Sequence, residues 1–256
     1  MSAPAEEIEL VLCRSALYEA LALGFRPPSP EMVERLTTCE GAAGLVAAVR
    51  LLDLAAGTAD ALAQLVRHLA ESDTALPALA ESYQRLFGHT ARGEVPAYET
   101  EYGSDDLFQQ PHEMADIGAF YTAFGLALAP GIGERPDHVS CECEFLMFLA
   151  RKEAVALERG DAAMLAETRK AARLFLRDHL GRFVSSLSER LRRGDESGFY
   201  TPLGALADAF VRRECTRLDV SAGPATLRLR TPVEDRVPMA CGTCPLGDAD
   251  EAAEEA

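Results

Sequence analysis

Apolar residues recur at intervals of three and four over nearly all of this chain, and the β-branched runs that would build strands are scarce. A sequence patterned in this way can bury its apolar stripes only by packing helix against helix. The fold it predicts is all-α: one compact multi-helix domain. Ile8, Leu12, Ala16, Leu17 and Leu21 form the stripe of a first helix over residues 6–24, closed by Gly24 and the PPSP segment. Ser29 and Pro30 are suited to cap and open a second. Further helices are expected at about 42–56, 58–71, 75–88, 113–128, 137–159, 162–193 and 199–216. Periodicity fades from residue 217, so the reading divides the chain into a helical domain, 1–217, and an irregular extension, 218–256, that carries a C-x-x-C pair and an acidic tail.

Charge narrows the range of partners. The 256 residues hold 25 Lys+Arg against 41 Asp+Glu, a net charge of −16, and an excess of acid argues against a phosphate backbone, which is bound through Lys and Arg. A basic partner fits better. Residues 93–134 contain no Lys or Arg and carry Glu94, Glu99, Glu101, Asp105, Asp106, Glu113, Asp116 and Glu134, interleaved with Tyr98, Tyr102, Leu107, Phe108, Phe120, Tyr121 and Phe124. The N-terminal MSAPAEEIEL lacks the basic and apolar regions of a secretory signal. Apolar stretches elsewhere are too short to cross a bilayer. A cytoplasmic protein without membrane insertion is therefore expected, and its seven cysteines are expected to be reduced.

Several residue groups are candidates for chemistry. Asp137 and His138 stand at a helix start. There Asp137 could cap the helix while His138 packs in its first turn, or the two could form an exposed pair that holds a ligand beside the helix N-terminus. As an acid/base pair they lack a nucleophile or cofactor motif. Cys141 and Cys143, two apart on a helix, point to nearly opposite faces and are expected to be packing residues. Cys241 and Cys244 have a spacing that reaches one zinc ion or each other, yet zinc needs four ligands, so inert thiols, a metal site and a redox pair all remain readings. His179, between Phe175 and Phe183, is expected to face the core. The basic block from Arg169 to Arg193 reads as a solvated face or as an intramolecular answer to the acids of 93–134. Phosphate-loop, dinucleotide, zincin and serine-hydrolase signatures are absent.

Taken in order, Tyr83-Gln-Arg-Leu86-Phe87, Pro96-Ala-Tyr98-Glu99-Thr-Glu-Tyr102, Phe120-Tyr121, Glu134-Arg-Pro136-Asp137-His138, Glu144-Phe145-Leu146, Phe175-Leu-Arg-Asp-His179 and Phe199-Tyr200 resemble the TorD/DmsD/NarJ family of molybdoenzyme-specific chaperones. The resemblance covers roughly residues 8–216. It implies a TorD-like helical fold and a non-catalytic cytoplasmic protein. Such a protein binds the twin-arginine signal peptide of an unfolded molybdoenzyme catalytic subunit and holds it for cofactor insertion before export. By motif position, the peptide-binding residues implied are Leu86, Phe87, Pro96, Tyr98, Glu99, Tyr102, Asp137 and His138. No cofactor of its own is implied, only indirect contact with the client's molybdopterin, and the state is a monomer or a dimer. Family members often carry Trp near the first two motifs, whereas this chain has none. A metal-binding or thiol-redox accessory protein using Cys241 and Cys244 is the alternative.

Overall fold

A computed structural model describes residues 3–55, 57–70, 75–88, 93–104, 109–129 and 134–231. Ten helices are present among them: α1 (Ala3–Gly24), α2 (Pro30–Thr37), α3 (Cys39–Leu51), α4 (Thr58–Ala70), α5 (Ala75–Phe87), α6 (Gln109–Ala123), α7 (Val139–Arg159), α8 (Ala162–Asp178), α9 (Leu180–Gly194) and α10 (Tyr200–Arg217), with a short 3₁₀ turn at Glu99–Glu101. Among the described residues there is no strand, only two isolated antiparallel bridges, Tyr98 to His138 and Tyr102 to Leu229. None of the described helices is long and apolar enough to cross a membrane. Cys241, Cys244 and the acidic tail lie outside the described residues, as do Asp105, Asp106, Leu107 and Phe108.

Helix α7 buries twelve of its 21 residues, most densely in its N-terminal half, with α1 laid along it and α8 beside it. Cys141 and Cys143 are both buried, free thiols within it, as packing residues should be. Burial pushes the Cys141 thiol up to about 12 and that of Cys143 well above its ordinary value. Charge is also built into this core. Arg14 of α1 reaches Glu153 of α7 at 3.2 Å and Glu214 of α10 at 3.7 Å, all three nearly inaccessible. Arg169 and Arg217 complete the set from α8 and α10, each at 2.8 Å from one of the two glutamates. Losing one member of such a network typically costs about 3–5 kcal/mol, because a charge is left buried without a partner.

Several helix limits differ from the periodicity: α1 begins at Ala3 and not at 6, and the helix expected at 42–56 runs from Cys39 to Leu51. The expected helix at 113–128 runs instead from Gln109 to Ala123, and Gly125, at φ +73, turns the chain out. The long helix expected over 162–193 is two helices, broken at His179, whose backbone (φ −124, ψ −108) is non-helical. The apolar stripe continues across the break, so the pattern hides it. Gly181 makes the break possible: a Cβ there would lie 2.2 Å from the carbonyl oxygen of Leu176.

Residues 219–231 run back along the helices as an extended arm. Gly223 donates its N–H to the Gly181 carbonyl at 2.8 Å, Leu227 donates to Ser186 Oγ at 3.1 Å, and Arg230 donates to Glu101 at 2.9 Å. A Cβ at Gly223 would meet Arg182 oxygen at 1.9 Å. The two glycines thus bring three backbone segments together at one point. Gly181→Ala is expected to lower stability by at least about 2 kcal/mol, because neither carbonyl nor helix can move aside; a denaturation midpoint within error of the parent would contradict that reading.

Candidate functional site

The residues singled out by motif meet where the segment 93–104 crosses the N-terminal end of α7. After α5 the chain folds back on itself, with Val95 donating to the Leu86 carbonyl at 2.7 Å. It then pairs with the start of α7: Glu99 N–H bonds the Asp137 carbonyl and Val139 N–H bonds the Ala97 carbonyl, each at 2.9 Å. The Tyr102 hydroxyl donates to the Pro96 carbonyl at 2.7 Å and closes the loop.

Two buried carboxyl groups hold this crossing. Asp137, fully buried, accepts from Thr100 Oγ1 at 2.8 Å, from Thr100 N–H at 3.3 Å and from Arg135 through two nitrogens at 3.0 and 2.8 Å. Glu99, also fully buried, lies between Arg182 Nη2 at 2.7 Å and His179 Nδ1 at 3.0 Å. His179 Nε2 faces Asp116 at 3.1 Å. Arg182 also reaches Glu113 at 3.0 Å, and Glu113 is clamped by Arg230 from the extended arm, again at 3.0 Å. Glu99, Glu113 and Asp116 therefore have intramolecular counter-charges, drawn from α9, the arm and the break at His179. Arg182 belongs to the basic block, so the intramolecular reading of that block holds for it.

The pair Asp137–His138 corrects both readings offered above. The helix cap is His138 and not Asp137: His138 Nδ1 accepts from Ser140 N–H at 3.2 Å and lies 2.7 Å from Ser140 Oγ. Nor is the pair exposed, since Asp137 is 0% and His138 1% accessible. Burial lowers the His138 pKa, outweighing the opposing charges of Glu134 and Asp137. The ring is thus neutral, with Nδ1 free to accept.

Of the eight motif residues, Tyr98 alone reaches the surface in part; Leu86, Phe87, Pro96, Glu99, Tyr102, Asp137 and His138 are buried. Leu86 and Phe87 belong to a packing cluster in which Phe87 meets Tyr83 at 4.9 Å and Tyr200 at 5.2 Å between centroids. Phe120, Tyr121 and Phe124 pack against Phe145, at 6.1, 5.1 and 5.7 Å. They serve the core more than any groove. Tyr98 packs edge-on to His138, lies 4.5 Å beneath Arg135 and donates its hydroxyl to Glu134 at 3.0 Å. Burial, and then Glu134, push its phenol up to about 12.

Sequence reasoning missed Thr100, Arg135, Glu142 and Arg230. Arg135 stood within a quoted motif, and its place beside two acids was the available signal. Glu142 sits one helical step inside α7 without exposure, and burial, then the charges of Glu99 and Asp137, hold its carboxyl well above the usual range. It is a neutral acid beneath the crossing. Among the described residues no group of three or more His, Cys, Asp or Glu could hold a metal ion.

His179 is the titrating member of this network. Burial lowers its pKa, but the hydrogen bond and charge of Glu99, joined by Asp116, outweigh it, and the net shift is upward. A raised value means the cation stabilises the fold. That contribution is complete below the unfolded value of about 6.5 and is lost as pH rises through the folded one. The stability advantage of the parent over His179→Gln should accordingly be largest below pH 6.5 and shrink toward pH 9 in thermal melts. A gap that stays constant over that range would contradict a charged His179.

Comparison with known proteins places this crossing inside a recognised sequence family. The family model described as the nitrate reductase delta subunit matches residues 52–189, a stretch containing all eight motif residues. A selenate reductase assembly chaperone protein of Thauera selenatis is 37% identical over 111 residues, which are 43% of this chain and 53% of that protein. The chain thus matches about half the length of this curated relative. A solved structure from Archaeoglobus fulgidus, proposed as a redox enzyme maturation protein, aligns over 78% of this chain and 93% of that one at 16% identity, with a TM-score of 0.42. With more than half of its length matched, from the end of α3 to the middle of α9, the chain belongs to the nitrate reductase delta subunit family, in agreement with its motif resemblance.

Proposed function

We propose that this protein is a cytoplasmic assembly chaperone for the catalytic subunit of a molybdenum enzyme. In this reading it captures the subunit's twin-arginine signal peptide and holds it while the cofactor is inserted, and it performs no catalysis. The observation that carries the proposal is family membership, joined to 37% identity with a selenate reductase assembly chaperone. The charge pattern supports it, because a peptide with paired arginines is attracted by an acidic surface.

The burial of the motif residues changes how they would serve. Tyr98, with Glu134 and Glu101 at its margin, is the part turned outward, and it is proposed to contact the peptide. Leu86, Phe87, Pro96, Glu99, Tyr102, Asp137 and His138 are proposed to shape that surface from beneath. Arg135 lies over Tyr98 and 3.9 Å from Glu101, so an arriving arginine would compete with it for the same acids. The client's molybdopterin would be met only indirectly.

Titration of the full chain with a labelled N-terminal peptide from the client catalytic subunit tests the reading. Binding should weaken as salt rises from 50 to 300 mM, since such charges are screened within about 8–10 Å at 0.1–0.15 M. Reversing two partly exposed acids, Glu101→Lys with Glu134→Lys, should weaken it by about five- to tenfold, at roughly 0.2–1 kcal/mol for each exposed pair. A parent protein that binds no signal peptide would sink the proposal. Full affinity in the double variant would sink the assignment of these residues.

A further inference from the structure

Between α9 and the extended arm lies a pocket of about 270 Å³, lined on one side by Ser186, Glu189, Arg190 and Arg193 and on the other by residues 225–228. Three arginines and one glutamate line it, in a chain whose net charge is −16. Glu189 is already shared between Arg192 at 2.8 Å and Arg193 at 2.6 Å. Arg190 makes no ion pair among the described residues. Its Nη2 donates to the Leu227 carbonyl at 2.9 Å, and its Nε, closed off from water, has no hydrogen-bond partner among them. Tyr102 offers this guanidinium only the face of a ring, 5.9 Å away. A half-buried cation in this position is costly to hold until an anion joins it.

The pocket is smaller than the roughly 300–1000 Å³ usual for a small ligand, and it suits one or two carboxylate side chains. Residues 248–256 of this chain, DADEAAEEA, carry Asp248, Asp250, Glu251, Glu254 and Glu255 and no base. The described arm ends at residue 231, just past the pocket wall. The stretch 232–247 that joins the two spans at most about 50–60 Å when extended, more than the return to residues 225–228 needs. A tether of this length raises the local concentration of the acids to the order of millimolar. An outside anion has to approach the same arginines against the field of the whole chain.

We infer that the pocket between α9 and the arm is the docking site of the chain's own acidic segment, residues 248–256, which supplies the carboxylate that Arg190 lacks. The docked segment holds the arm against α9. Through Arg230 and Glu113 the arm is joined to Arg182 and Glu99, so the C-terminal acids add a tie to the crossing. No residue of the Tyr98 surface takes part, and the inference does not rest on the function proposed above.

Arginine footprinting of the full chain tests it. Phenylglyoxal, which modifies accessible guanidinium groups, is applied to the parent and to a neutral-tail variant, Asp248→Asn, Asp250→Asn, Glu251→Gln, Glu254→Gln and Glu255→Gln, and the modified sites are read by mass spectrometry. Arg193 and Arg228 should react about fivefold or more faster in the variant. Arg50 and Arg159, exposed on α3 and α7, should react equally in both. A fluorescein-labelled peptide copying residues 245–256 should bind the neutral-tail chain, and bind the parent at least about tenfold more weakly because its site is filled. Adding Arg190→Gln, or separately Arg193→Gln, to the neutral-tail chain should weaken the peptide by about tenfold. Arg193 is exposed in the last turn of α9, so the melting temperature of its variant should hold. Equal modification rates in parent and neutral-tail chains, or peptide binding untouched by both arginine variants, overturns the inference. So does protection of the parent that fades on about hundredfold dilution, which would assign the site to a second copy. So does inorganic phosphate at about 5 mM protecting the neutral-tail chain while the peptide fails to bind, which would make this a site for a free oxyanion.

Discussion

The structure around the motif residues depends on the burial of Glu99. A carboxyl group with no access to water is tolerated only where cations and donors replace its hydration, and here His179, at the break between α8 and α9, and Arg182, in the first turn of α9, do so. That requirement explains features that are otherwise unconnected. The helix must stop at His179 so that its ring can face Glu99. Gly181 must lack a side chain so that the stop can be sharp. Arg182 then links Glu99 to Glu113, and Glu113 ties in Arg230 of the extended arm. Asp137 does parallel work for Thr100 and Arg135 one step away.

Much of the fold was legible from the sequence because helical periodicity records burial directly. The start of α2 follows from Ser29 and Pro30, and the limits of α5, α7 and α10 from the apolar spacing, to within about two residues, the ordinary uncertainty of helix ends. The break at His179 was not legible. Phe175, His179 and Phe183 keep the same stripe on both sides, and what interrupts the backbone is a partner eighty positions earlier in sequence. Motifs far apart in the sequence meet at one crossing, yet spacing says nothing of whether an acid faces water or an arginine. Asp137 looked like a cap because Asp often is one; Thr100 and Arg135 claimed its oxygens first, and His138 took the cap.

The acidity of the chain acquires two separate roles. Within residues 93–134, Glu99, Glu113 and Asp116 pair with Arg182, Arg230 and His179 and hold the crossing together. Glu9, Glu34 and Glu40 make no such pairs among the described residues and stay exposed to solvent. A net charge is thus a poor guide to a docking surface until the internal pairs are subtracted from it.

Amide hydrogen exchange compared between the parent and Glu99→Gln tests the central claim most directly. The amides of Val95, Glu99, Val139 and Arg230 bond across the crossing, so in the parent they should exchange nearly as slowly as the core of α7. In Glu99→Gln, which keeps the shape but removes the charge shared by His179 and Arg182, these four should lose protection first, while amides in the middle of α1 and α7 keep theirs. Fast exchange of the four in the parent, or unchanged protection in the variant, would contradict the account.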